Sequence, residues 1–129
     1  TPKPSSAASD VYKRQVYQIR RARRIDGRLV LYVEHYPHPD YFPGILDFDL
    51  TRSLTELYAS EYDVRYGRVR FDMVPTALHA DAAAALKVAA GSPALRITRV
   101  NRDQHGRLID CDLEYWRHDA IHISVDVPA

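Results

Sequence analysis

Cysteine is nearly missing from this chain: Cys111 is the only one among 129 residues. An internal disulfide is therefore excluded, and the composition suits a reducing, cytoplasmic compartment. No apolar run approaches the roughly 20 residues that a membrane-spanning helix needs. Nor is there a charged-then-apolar secretory leader, so no membrane role is expected. An excess of one charge sign is lacking too, with 18 Lys and Arg against 17 Asp and Glu. A chain that grips nucleic acid by itself is usually more basic. No two of the six histidines (His35, His38, His79, His105, His118 and His122) share an expected helix. They read as surface or turn residues, and neither a metal nor another cofactor is expected. What is present is 46% hydrophobic and 27% charged residues, enough for one globular domain with a sizeable core.

Residues 1–15 differ from the rest. Pro2, Pro4, Ser5, Ser6, Ala7, Ala8 and Ser9 have linker composition with nothing to bury. Ser5 to Gln15 also resembles translated adapter sequence, which would make it a non-native leader. The domain is expected over 16–129. From Val16, period-2 alternation puts Tyr17, Ile19, Arg21, Arg23 and Ile25 on one face of a strand. Asp26-Gly27 signals a hairpin. The return strand, about Arg28 to Tyr36, is apolar on both faces, so both are expected to be covered. Pro37, Pro39 and Pro43-Gly44 then impose an irregular loop. Leu54, Leu57, Tyr58 and Glu61 recur at helical spacing, and Ser53 with Glu56 fits a capping box.

A third strand is expected at about 64–74 with Val69, Phe71 and Met73 inward. A short alanine-rich helix follows at 81–89, closed by Gly91 and Pro93. Three terminal strands complete the chain at about 94–102, 107–117 and 121–127. The order is β-β-α-β-α-β-β-β, an α+β fold of an antiparallel sheet with helices packed against it.

Four motifs in this order carry a family resemblance. They are Arg21-Ala22-Arg23 before Asp26-Gly27; Phe42-Pro43-Gly44-Ile45-Leu46 leading to Ser53-Leu54-Thr55-Glu56-Leu57; Ala82 to Val88 with Gly91-Ser92-Pro93-Ala94-Leu95-Arg96-Ile97; and Asp103 to Asp119 with the segment after it. Together they resemble the UTRA domain, the effector-binding half of HutC-subfamily GntR-type transcription regulators. The resemblance covers about Val16 to Val127. It implies a chorismate lyase-like fold, a homodimer, and DNA contact only through a winged helix that is not in this sequence. It also implies a small-molecule effector, a phosphorylated sugar or an organic acid, and no catalysis. The residues it points to are Arg21, Arg23 and Ser53, with Thr55, for an anionic group, and Asp110 and Trp116 for the rest of the ligand. The sequence departs from the family pattern at Asp110, where Glu is more usual. Trp116 and His118 stand where Tyr and Gly are frequent, and the segment around Glu34 is one residue short.

Each candidate also has a plainer reading. Arg21 and Arg23, on an otherwise apolar face, need anions, which a ligand or nearby Asp and Glu could supply. Ser53 is equally explained as a helix cap. Asp110, Asp112, Glu114 and Trp116 share one face of their strand and Ile109, Cys111, Leu113 and Tyr115 the other; the second set reads as core. The acidic face is either a ligand wall or a solvated surface with Arg partners. Arg96 is placed to pair with that acidic strand, and Cys111 reads as a buried structural thiol. Lys13, Arg14, Arg20, Arg21, Arg23, Arg24 and Arg28 form a basic patch with no helix-turn-helix, which is weak as a nucleic-acid signal. Two other functions fit the same pattern: an enzyme of the chorismate-lyase type, and a stand-alone dimerisation module.

Overall fold

The structure, a computed structural model, describes residues 17–128. The expected leader at 1–15 lies outside them. Alternation from Ile19 yields β1 (Ile19–Ile25), which returns as β2 (Arg28–Pro37). Between them Asp26 and Gly27 both take positive φ, 51° and 79°. A two-residue hairpin turn requires that, and it is why Asp-Gly serves there. A loop with one 3-10 turn (Ile45–Asp47) leads to α1 (Leu54–Tyr62). Then follow β3 (Tyr66–Ala77), α2 (Ala80–Leu86), β4 (Pro93–Asp103) and β5 (Leu108–Arg117).

The five strands form one antiparallel sheet in the order β1-β2-β5-β4-β3. The α+β class holds. The two helices take opposite faces. Leu78, Ala82, Ala83 and Leu86, in and before α2, pack on Tyr32, Ala94 and Tyr115. Leu54, Leu57 and Tyr58 of α1 pack with Phe42, Ile45, Val64 and Ile109. Residues Val30 to His35 of β2 are all buried, as a strand covered on both faces must be.

Three expectations need correction. The sixth strand does not form, because residues 121–128 have no regular secondary structure. The alternation is there, but a strand also needs a ladder partner, and β5 already has β2 and β4 on its two sides. In β3, Phe71 and Met73 are 51% and 43% exposed rather than inward, since β3 is an edge strand and neither helix cluster includes them. The alanine-rich helix starts one residue early, at Ala80, capped by His79, and stops at Lys87 in the left-handed region.

Period-2 reasoning also fails at one point in β5. Asn101 opposes Asp110 but Arg102 opposes Leu108, so Ile109 is an extra, bulged residue. Ile109 is fully buried in the α1 cluster. Its neighbour Asp110 is bonded by Tyr58 of the same helix, so consecutive residues both meet α1.

Candidate functional site

Directly opposed residues of an antiparallel ladder share a face. The pairings link Arg23–Leu31–Trp116–Leu95, Arg21–Val33–Glu114–Ile97 and His35–Asp112–Arg99 as rows across the sheet. The basic strand near the start and the acidic strand near the end therefore lie on one face. Above that face, between it and the start of α1, is a hollow of about 490 Å³. Arg21, Arg23, Ser53, Thr55 and Trp116 line it, with His35, Arg52, Tyr66, Arg99, Asp112 and Glu114 among the other walls. Four guanidinium groups thus face two carboxylates there, leaving two positive charges in excess. A second hollow, about 680 Å³, follows residues 18–24 along the outer edge of β1 and shares Arg21 and Arg23 with the first. We assign the site to the first, because among the described residues only there do charged groups from β1, β4 and β5 converge beside the start of α1.

Arg21 is held in place without a carboxylate. Its Nε donates to His35 Nε2 at 3.2 Å, and a terminal nitrogen donates to the Arg52 carbonyl at 3.0 Å. Burial, then the neighbouring charge of Arg23, lowers its pKa from the usual value. Among the described residues neither Arg21 nor Arg23 makes a salt bridge. Since His35 Nε2 accepts from Arg21, its proton sits on Nδ1 and is donated to Asp112 at 2.7 Å. Asn101 Nδ2 then bridges Asp112 at 3.2 Å and Asp110 at 2.5 Å. Tyr58 donates to Asp110 at 2.8 Å. A continuous wire of hydrogen bonds thus runs from Arg21 at the pocket to Tyr58 in the core.

Asp110 lies below the pocket rather than on its wall. Burial, and then the charge of Asp112, pushes its carboxyl up to about 6. The Tyr58 and Tyr66 phenols are pushed up as well, first by burial and then by Asp110. Ser53 accepts the backbone N–H of Glu56 at 3.3 Å, so the cap is formed while the same helix start faces the hollow. Trp116 donates its indole N–H to Glu114 at 2.9 Å, which fixes the ring beside the cavity.

Three residues were misread or passed over in sequence. His35 is buried, not at a surface or turn; its place opposite Asp112 follows from strand register alone. Arg96 opposes Tyr115, on the face away from the acids, so it does not pair with them. Arg99 does: it lies 3.7 Å from Glu114, opposes Asp112, and sits over the rings of Phe71 and Tyr66 at 5.3 and 5.9 Å. The Nε atom of Arg99 is buried with no hydrogen-bond partner among the described residues. Cys111 is half-buried on the opposite face, and its thiol is raised, mainly by that burial.

The UTRA domain family model matches residues 11–122. A curated relative, an uncharacterized HTH-type transcriptional regulator YihL from Escherichia coli K12, is 26% identical over 113 residues. The match takes in 88% of this chain and 48% of that protein, so the chain spans about half the length of the curated relatives it matches. Among solved structures, the effector domain of PhnF from Mycobacterium smegmatis superposes with a TM-score of 0.82 at 24% identity, covering 88% of this chain and 70% of that one. The C-terminal domain of YurK from Bacillus subtilis gives 0.81 at 16% identity, over 87% and 78%. At these identities the superpositions establish a shared fold.

Proposed function

The chain belongs to the UTRA domain family, and on that premise we propose that it is the effector-sensing and dimerisation domain of a bacterial GntR/HutC-type transcription regulator. Its effector is a small anionic metabolite, a phosphorylated sugar or an organic acid. Arg21 and Arg23 hold the anionic group, because fork-shaped donors suit phosphate and carboxylate bidentately. Ser53, Thr55 and the free backbone N–H groups at the start of α1 add donors where the helix dipole favours negative charge. Trp116 offers a flat surface to the body of the ligand, and Asp112 and Glu114 accept its hydroxyls. Asp110 acts from beneath, by fixing Asn101 and Tyr58.

The observation that carries this reading is the convergence of two arginines that have no carboxylate partner among the described residues with an acidic and aromatic strand across one cavity. Ligand binding changes nothing downstream unless one arrangement of the dimer binds it better. The preferred arrangement sets the spacing of two DNA-reading heads carried elsewhere in the regulator. DNA contact is theirs alone, and the regulator works in the cytoplasm.

Thermal melting with phosphorylated sugars, urocanate-like acids and chorismate tests the site. A specific ligand at 100 times its Kd stabilises the fold by about 2.7 kcal/mol. The double variant Arg21→Ala, Arg23→Ala should melt normally and lose the response. A variant that responds like the parent, or a parent that responds to none of these, removes the assignment.

A further inference from the structure

Two parts of this chain are apolar and strand-like yet have no partner for that character among the described residues. The first is β3. As the last strand of the sheet it leaves one row of backbone N–H and C=O groups outside any ladder. Val69, Phe71 and Met73 oppose Asn101, Arg99 and Ile97, so they lie on the pocket face of the sheet. Arg70 and Asp72 lie on the other face. Phe71, Met73 and Val74 are all more than two-fifths exposed, which a monomer edge strand ordinarily avoids. The second is the segment 121–127. Ile121, Ile123, Val125 and Val127 alternate strictly with His122, Ser124 and Asp126. That is the pattern of a half-buried strand, but the segment has no ladder, and Val125 and Val127 are 78% and 73% exposed.

The segment leaves the sheet in the row Arg117–Ala94–Thr76, level with the end of β3 but two strands away from it. That separation is roughly 10 Å. We infer that the two features meet between copies: residues 121–127 of one chain add as a sixth strand to the β3 edge of a second chain, and the second chain returns the contact. The exchange is self-complementary and closes as a two-fold dimer. It sets the apolar side of the segment beside Val69, Phe71 and Met73. It sets His122, Ser124 and Asp126 beside Arg70 and Asp72. The β3 edge of each copy is covered, and the alternation that finds no use inside one chain is used across two. The joint adjoins the pocket through Phe71, which lies under the guanidinium of Arg99. This inference rests on the homodimer in the reading above and names its surface.

Light scattering across a micromolar dilution series tests it with two variants, Ile123→Asp with Val125→Asp, and Phe71→Asp. All three positions are exposed in the single chain, so circular dichroism should show an unchanged monomer fold. The parent should be a dimer, and either variant should weaken dimerisation about 100-fold or more, because a carboxylate is then buried in an apolar joint. Protection of the amides of 121–127 from hydrogen exchange should rise with dimer concentration. A dimer of undiminished affinity in both variants overturns the strand exchange and leaves the homodimer standing. A parent that stays monomeric throughout overturns this inference and removes dimerisation from the functional reading, while the ligand response still tests the pocket.

Discussion

Replacing Asp110 by Asn should make the protein more stable at neutral pH and leave it nearly unchanged in acid. The carboxyl of Asp110 is buried against Asp112 and raised from 3.8 to about 6. A carboxylate raised on folding binds its proton more tightly in the native state. Stability therefore falls as pH rises from about 4 to about 6, and the loss persists above that window. At 1.36 kcal/mol per pH unit, a shift of about two units costs about 3 kcal/mol. An Asn removes the like charge but keeps one carbonyl acceptor, so either the Tyr58 or the Asn101 bond weakens at about 1 kcal/mol. Its new amide can donate to Asp112 or to Asn101 Oδ1, which is buried without a partner among the described residues. The net gain should be about 1–2 kcal/mol near pH 7.5. That corresponds to a Tm higher by roughly 3–10 °C for a chain of this size. Melting curves at pH 4, 5, 6 and 7.5 would show the difference opening across the titration window. A Tm difference that does not change with pH, or an Asn variant less stable at 7.5 than at 4 relative to the parent, would refute the reasoning.

Other outcomes follow from the same geometry. Tyr58→Phe leaves Asp110 without its phenol donor and should cost about 1–2 kcal/mol by denaturant titration, more at neutral pH than in acid. Ser53→Ala removes the α1 cap and should lower stability by about 1 kcal/mol, and the ligand-induced Tm shift should shrink as well if the hydroxyl also serves the effector. Gly67→Ala places a Cβ against the backbone carbonyl of Asp103, where β3 bulges, and should destabilise by about 1–3 kcal/mol in thermal melts. Arg99→Met should weaken ligand binding while leaving the stability without ligand within about 1 kcal/mol of the parent, since its partly exposed pair with Glu114 contributes little by itself. Isothermal titration with the effector found by melting would separate the two.

The sheet was legible in the sequence wherever one physical signal decided it. Asp26-Gly27 demanded a hairpin, and Ser53 demanded a helix start. Alternation gave β1, β2, β4 and most of β5. Reading failed where tertiary partners decide. Ile121 to Val127 alternates as a strand should, yet β5 has no free side to offer it. Val69, Phe71 and Met73 look like core, but β3 is an edge. The bulge at Ile109 brings two consecutive residues to one helix, and no local pattern in the sequence marks it. Of the candidate site, Arg21, Arg23, Ser53, Thr55 and Trp116 surround one hollow, while Asp110 lies beneath it. His35 was invisible as a site residue because its role comes from register: only the pairing of β2 with β5 sets it against Asp112. The same holds for Arg99 over Arg96, where a separation of three residues along β4, an odd number, puts the two guanidinium groups on opposite sides of the sheet.

The hydrogen-bond wire from Arg21 through His35 and Asp112 to Asp110 has a thermodynamic consequence for whatever occupies the cavity. Negative charge delivered at its outer end is felt by a carboxylate at its inner end that titrates in mildly acidic solution. Occupancy should then draw protons from the medium, and calorimetric heats measured near pH 6 should differ between buffers in proportion to their enthalpies of ionisation. On the proposed effector-sensing role, acidity and metabolite would be read as one combined signal.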